Sequence, residues 1–205
     1  MRSSVRSYGA GAIEVGNQVD GTAFFPGGTG LWRGLEAYGK LPDEFPEAPI
    51  MFLGHNFDSV KGHKDSCTRG IERMNTGTWH FLIRYLAAAE LDPAGGFYTN
   101  AFVGLQPKNA NGTLYANEEF YQECRAFLIE QISIVRPRLI VALGQNAARE
   151  LDLVIGRLPL LQSMPSIQLM HPGAILYRKS AEREVVIAQQ GTKLKTAWVG
   201  LTKIV

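Results

Sequence analysis

Three short stretches of this 205-residue chain put chemistry-capable side chains directly after apolar runs. In LMHPGAILYR (169–178), His171 precedes Pro172 and Gly173. A residue before proline is driven toward extended geometry and the glycine permits a sharp turn, so the imidazole is held at a strand end. So placed, it can serve as an oriented hydrogen-bond donor, or simply be satisfied by a nearby backbone carbonyl. In TNAF (99–102), Asn100 ends an apolar run with a carboxamide, which offers a donor and an acceptor side by side. The same amide could tie a loop to its own backbone. In GHNFDS (54–59), Gly54 leads into His55, Asn56, Phe57 and Asp58. An amide or carboxylate there can hold a water, His55 can be a general base or a ligand contact, and Asp58 equally suits a turn or cap.

Positioning these groups requires strands that stop where they stand. PIMFLG (49–54), GFYTNAFVGL (96–105), RLIVALG (138–144) and SIQLM (166–170) are short apolar runs closed by turn signals or polar residues, as buried parallel strands are. Between them lie helical patterns. TWHFLIRYLAAAEL (78–91) puts Trp79, Leu82, Ile83 and Leu86 on one face and stops at Asp92-Pro93. A second helix begins near Asn117, a suitable N-cap, and carries Phe120, Cys124, Phe127, Leu128 and Gln131 at helical spacing. QNAARELDLVI (145–155) makes a third, and much of 180–202 a last one. Four strands alternating with helices predict an α/β fold, a three-layer αβα sandwich around a four-stranded parallel sheet. In such sheets ligands bind beyond the carboxyl ends of the strands, which is where the three stretches fall.

The length suits one domain, 1–205, divided into a Gly-rich N-terminal extension (1–48) and a motif-bearing core (49–178). GGTG (27–30) reads as loop, because no strand precedes it. A formal net charge of +2 neither argues for nor excludes nucleic acid. The chain lacks a long apolar segment and an apolar leader, so a cytoplasmic protein without membrane contact is expected. Cys67 and Cys124 form no CxxC pair, so no zinc site or disulfide framework is suggested.

From about Pro49 to Arg178 the order and spacing of the strand-end motifs resemble the uracil-DNA glycosylase superfamily. GHNFDS sits where that superfamily has its water-activating loop, and TNAF matches the strand end whose Asn reads uracil. CRAFLIEQISIVRPRLIVALGQNAA (124–148) looks like its helix-to-third-strand stretch, and HPGAIL (171–176) is similar to its His-Pro-Ser loop. The resemblance implies a DNA repair glycosylase that flips uracil, or a related deaminated base, out of DNA and hydrolyses its N-glycosidic bond. The alternative is a catalytically weak or inactive nucleic-acid or nucleobase-binding module of the same fold.

The resemblance also assigns roles. His171 would donate to the departing base and Asn100 would read its edge. The 54–59 loop would hold water, through Asn56 first, as in a mismatch-directed branch of the superfamily, or through Asp58; Gly54 and His55 would line the pocket. The stacking aromatic of the superfamily falls near Met74, which is not aromatic; Phe57 is a substitute, or part of the core. Gly173 and Leu176, with Ile175 and Tyr177 beside it, would form the segment that fills the vacated stack, and Arg178 and Lys179 would contact phosphates. An AIL run beginning a packed helix is the other reading of that segment. The iron-sulfur branch needs four cysteines, whereas only Cys124 falls at a comparable place and Gly104 stands where another would be. A monomer with no metal and no cofactor is expected, acting on DNA.

Overall fold

The computed structural model describes residues 30–31, 49–56, 65, 77–102, 118–157 and 162–202. The strands are β1 (Gly30–Leu31), β2 (Ile50–Asn56), β3 (Gly96–Phe102), β4 (Leu139–Leu143) and β5 (Ser166–Leu169). The longer helices are α1 (Gly77–Ala88), α2 (Glu118–Val135), α3 (Gln145–Ile155) and α4 (Ser180–Thr202), and a 3-10 segment covers Pro172–Tyr177. The sheet order is β1-β3-β2-β4-β5. β3, β2, β4 and β5 are mutually parallel, and the two-residue β1 pairs antiparallel with β3 at the edge. This edge strand corrects one expectation, since Gly30, the last glycine of GGTG, opens a strand. It escaped detection because two residues carry no periodicity.

The β2 strand sits mid-sheet because seven residues of mostly apolar character can be buried on both faces. Alternation sends Ile50 and Phe52 into one core with Tyr98, Val141 and Leu169, closed by Trp79, Leu82 and Leu86 of α1 and Ile187 and Leu194 of α4. Met51 and Leu53 enter the opposite core with Phe97, Ala101 and Ile140, closed by Leu128 and Ile132 of α2 and Leu151 and Val154 of α3. Helices therefore cover both faces, which makes the three-layer α/β sandwich. None of the described helices is long and apolar enough to cross a membrane.

Side-chain pairs tie the helices of each layer together. Arg125 of α2 meets Glu150 of α3 at 2.9 Å, both side chains nearly buried. In the other layer Arg84 of α1 meets Glu184 of α4 at 2.5 Å, and Gly191 lets α4 approach so closely that a methyl there would lie 2.4 Å from Ala88 Cβ. Inside this layer the Tyr85 hydroxyl is buried without a hydrogen-bond partner among the described residues, and burial pushes its pKa up to about 12. An orphaned buried hydroxyl costs about 1–3 kcal/mol of desolvation, and Phe keeps the ring. Tyr85→Phe is therefore expected to leave the fold intact and raise stability by about 1 kcal/mol in urea unfolding; a clear loss would contradict the orphaned placement.

Candidate functional site

The carboxyl ends of β2 and β3 lie side by side, with Gly54 opposite Asn100 and Asn56 opposite Phe102 in the ladder. Thr99 faces α2, where its hydroxyl donates to Gln131 Oε1 at 2.9 Å, and Ala101 joins the α2–α3 core. Alternation therefore turns Asn100 to the α1 face, where it is only 4% exposed. Its partner in the ladder, Gly54, sends no side chain across it. The floor beneath is aromatic: Phe52 and Tyr98 stack at 5.2 Å, and the Tyr98 hydroxyl donates to Pro93 O at 2.7 Å. Burial drives the Tyr98 pKa upward, helped by Asp92, and the phenol stays neutral.

The 54–59 stretch was expected to be loop from Gly54 onward, but β2 continues through Asn56 because β3 runs beside it and supplies partners. His55 and Asn56 thus stand on a strand, more rigidly than a loop would hold them. The His55 ring lies edge-on to Phe102 at 5.0 Å, and Phe102 in turn rests on Phe120 and Tyr121 of α2.

His171 stands two residues past Leu169, the last residue of β5, and caps the start of the 3-10 segment. Its Nδ1 accepts the Gly173 N–H at 3.2 Å, and its carbonyl accepts the Ala174 N–H at 2.9 Å. Because Nδ1 is the acceptor, the neutral ring carries its proton on Nε2, so the group is a donor in one direction. The backbone partner is an N–H and not the carbonyl that a merely satisfied histidine would need, which leaves the Nε2 proton uncommitted to that turn. Neighbours lock the ring: a methyl on Gly144 would lie 2.9 Å from His171 Cβ, and one on Gly173 would lie 3.1 Å from both His171 Cε1 and Thr78 Oγ1. Gly144 closes β4 at φ +94°, a conformation open to glycine. The imidazole is thereby held between the end of β4 and the first turn of α1. Burial lowers its pKa, and the like charge His55 would carry acts in the same sense.

Asn100 and His171 share the α1 side of the sheet end. Between β3 and β5 stand β2 and β4, a separation of roughly 14 Å at about 4.8 Å per strand. A molecule touching both groups would lie across the ends of the two middle strands.

After His171 the segment behaves differently from residue to residue. Ile175 is fully buried in the α1–α4 core, which withdraws it from any outward role. Leu176 is 46% exposed and Tyr177 91% exposed, and Arg178 and Lys179 are exposed beside them. The AIL run therefore makes a 3-10 turn whose apolar tip points outward, and α4 starts only at Ser180. Two side chains of α4 that the sequence left unmarked reach this segment. Arg183 donates to the carbonyls of Arg178 (3.0 Å) and Leu176 (2.9 Å), and Gln190 Oε1 accepts the Met170 N–H at 2.8 Å.

Phe57, Asp58, Cys67, Met74, Gly104 and Asn117 lie outside the described residues. Among the described residues no group of three or more His, Cys, Asp or Glu is placed to hold a metal ion. A model of the uracil DNA glycosylase superfamily matches residues 18–195, a span containing every strand end discussed above. No curated protein matches the chain significantly.

Proposed function

The chain belongs to the uracil-DNA glycosylase superfamily, and from that premise we propose that it excises uracil, or a related deaminated base, from DNA by hydrolysing the N-glycosidic bond of a flipped-out nucleotide. The observation that carries this reading is the hydrogen bond from the Gly173 N–H to His171 Nδ1, which makes Nε2 the donor nitrogen of the neutral ring just past a strand end. As the bond between the sugar C1′ and the base nitrogen breaks, positive character gathers on the sugar and negative charge on a carbonyl oxygen of the leaving base. A preorganised donor aimed at that oxygen in a dry site contributes about 2.7–4 kcal/mol.

Asn100 reads the edge of the base with its paired donor and acceptor, and the aromatic floor behind it keeps competing water out. The hydroxyl of a water held at the end of β2 then bonds to C1′, and the departing base takes up the proton released. Asn56 positions that water without being a strong base, with Asp58 as the carboxylate alternative. Leu176 and Tyr177 enter the gap left in the duplex while Arg178 and Lys179 bind flanking phosphates. The protein works as a monomer in the cytoplasm without cofactor in this reading.

A second reading is favoured by the absence of a carboxylate in the described part of the β2 end, Gly54–Asn56: a module that binds the base without efficient cleavage. Incubation with single-stranded, U:G and U:A oligonucleotides, followed by alkali, separates the two. Alkali-labile sites at uracil are expected; intact strands in a tight, salt-sensitive complex would establish the binding module instead. The pH profile adds a check. Because the His171 pKa is lowered, cleavage should persist as pH falls through the usual imidazole value of 6.5 and decline only below it. Loss with a midpoint above that value would contradict the lowered pKa, and a rate that rises as the ring protonates would contradict a neutral donor.

A further inference from the structure

We propose that α4 is the positioning frame of the site, with Gln190 setting the imidazole for chemistry and Arg183 setting the apolar tip for entry into duplex DNA. The proposal rests on the glycosylase reading above and adds two residues to it. His171 stands one residue beyond Met170, whose N–H lies just past the last ladder residue, Leu169. Gln190 Oε1 captures that N–H at 2.8 Å from 20 residues away in sequence, fixing the peptide that carries the chain into His171. On the far side of the turn the Arg183 guanidinium grips two carbonyls at once, Nε on Arg178 O and Nη2 on Leu176 O. A planar fork holding two acceptors fixes orientation as well as distance, which a lysine ammonium does not reproduce. The exposed Leu176 side chain is carried by one of the two gripped residues, and Tyr177 lies between them.

The helix that carries both clamps is itself well anchored. Gly191 seats it against Ala88, Ile187 and Leu194 are buried, and Arg84–Glu184 and Lys195–Glu90 pair it with α1 and the turn after it. Neither Gln190 nor Arg183 takes part in those contacts. Both are positioning residues: neither touches the base in this scheme, and each acts through the segment it holds.

The two clamps have separable consequences. A single-stranded substrate needs the imidazole but has no duplex stack to refill, whereas a duplex needs both. Gln190→Leu should lower the cleavage rate about tenfold on single-stranded and duplex uracil alike, with KM little changed, since removing a hydrogen bond of ordinary strength is worth about that factor. Gln190→Glu keeps an acceptor oxygen and should restore most of the rate. Arg183→Ala should lower the duplex rate about tenfold more than the single-stranded rate, and Arg183→Lys should not rescue it.

Hydrogen exchange supplies a readout independent of cleavage. The Met170 amide should exchange faster in Gln190→Leu, and the Ala174 and Arg178 amides faster in Arg183→Ala, at unchanged exchange in the core of α4. If the parent cleaves no uracil, the glycosylase reading fails while the exchange data still decide the clamping. Equal losses on both substrates in Arg183→Ala, no loss in Gln190→Leu, or unchanged exchange at these amides would overturn the proposal.

Discussion

Replacing His171 by Ala is expected to lower the single-turnover rate of uracil release by about 10²–10³-fold, the effect of deleting one preorganised donor to a developing oxyanion. Gly173 N–H occupies Nδ1 in the ground state, and the close approach of Gly144 and Gly173 leaves the ring little freedom to reorient. Its donor therefore costs no reorganisation when charge appears on the base. The substitution leaves Arg178 and Lys179, the proposed phosphate contacts, in place, so affinity for uracil-containing duplex, measured by fluorescence anisotropy, should change by less than about tenfold. A loss confined to affinity with the cleavage step intact would remove His171 from the chemistry.

Asn100→Asp should be the more severe change for base choice. Asn100 is almost wholly buried on the α1 face with Gly54 opposite. An ionised carboxylate there accepts but cannot donate, so it meets the uracil carbonyl with repulsion. Sites built around such hydrogen bonds reject a mismatched edge by up to about 10⁴-fold, and uracil cleavage should fall toward that scale. Cytosine, whose exocyclic amino group is a donor, should gain relative to uracil when both are offered in matched oligonucleotides. The variant buries a charge, so its thermal unfolding must be measured alongside. A folded variant with parental preference for uracil would mean that residue 100 does not read the base.

How far the sequence revealed this molecule depended on whether an element carried its own pattern. The four parallel strands were legible because each is a run of apolar residues buried on at least one face and closed by a turn signal, as IMFLG and LIVALG show. The helices α1 and α2 were legible from stripes such as Trp79, Leu82 and Leu86 that meet the sheet. Strand β1 was not, because it borrows its structure from β3. The extension of β2 through His55 and Asn56 was missed for the same reason: a ladder partner, not local preference, keeps those polar residues extended.

At the site, His171 and Asn100 could be singled out because Pro-Gly punctuation and a strand end mark them locally. The separate fates of Ile175 and Leu176, adjacent and chemically alike, depend on which one the 3-10 turn sends into the core. Arg183 and Gln190 gave no signal at all. The α4 helix has polar residues around most of its circumference, and what distinguishes these two is a partner reached through the fold.

The strand order has a consequence for how the protein is made. The groups at the sheet end come from four separate stretches, near residues 54, 100, 144 and 171, and the helix that steadies the last of them spans 180–202. On a ribosome the amide would emerge long before the imidazole, and the imidazole before its support. A partly synthesised chain therefore lacks the assembled candidate site, so the base excision proposed above would begin only once the sheet has its final parallel member and the covering helix has docked.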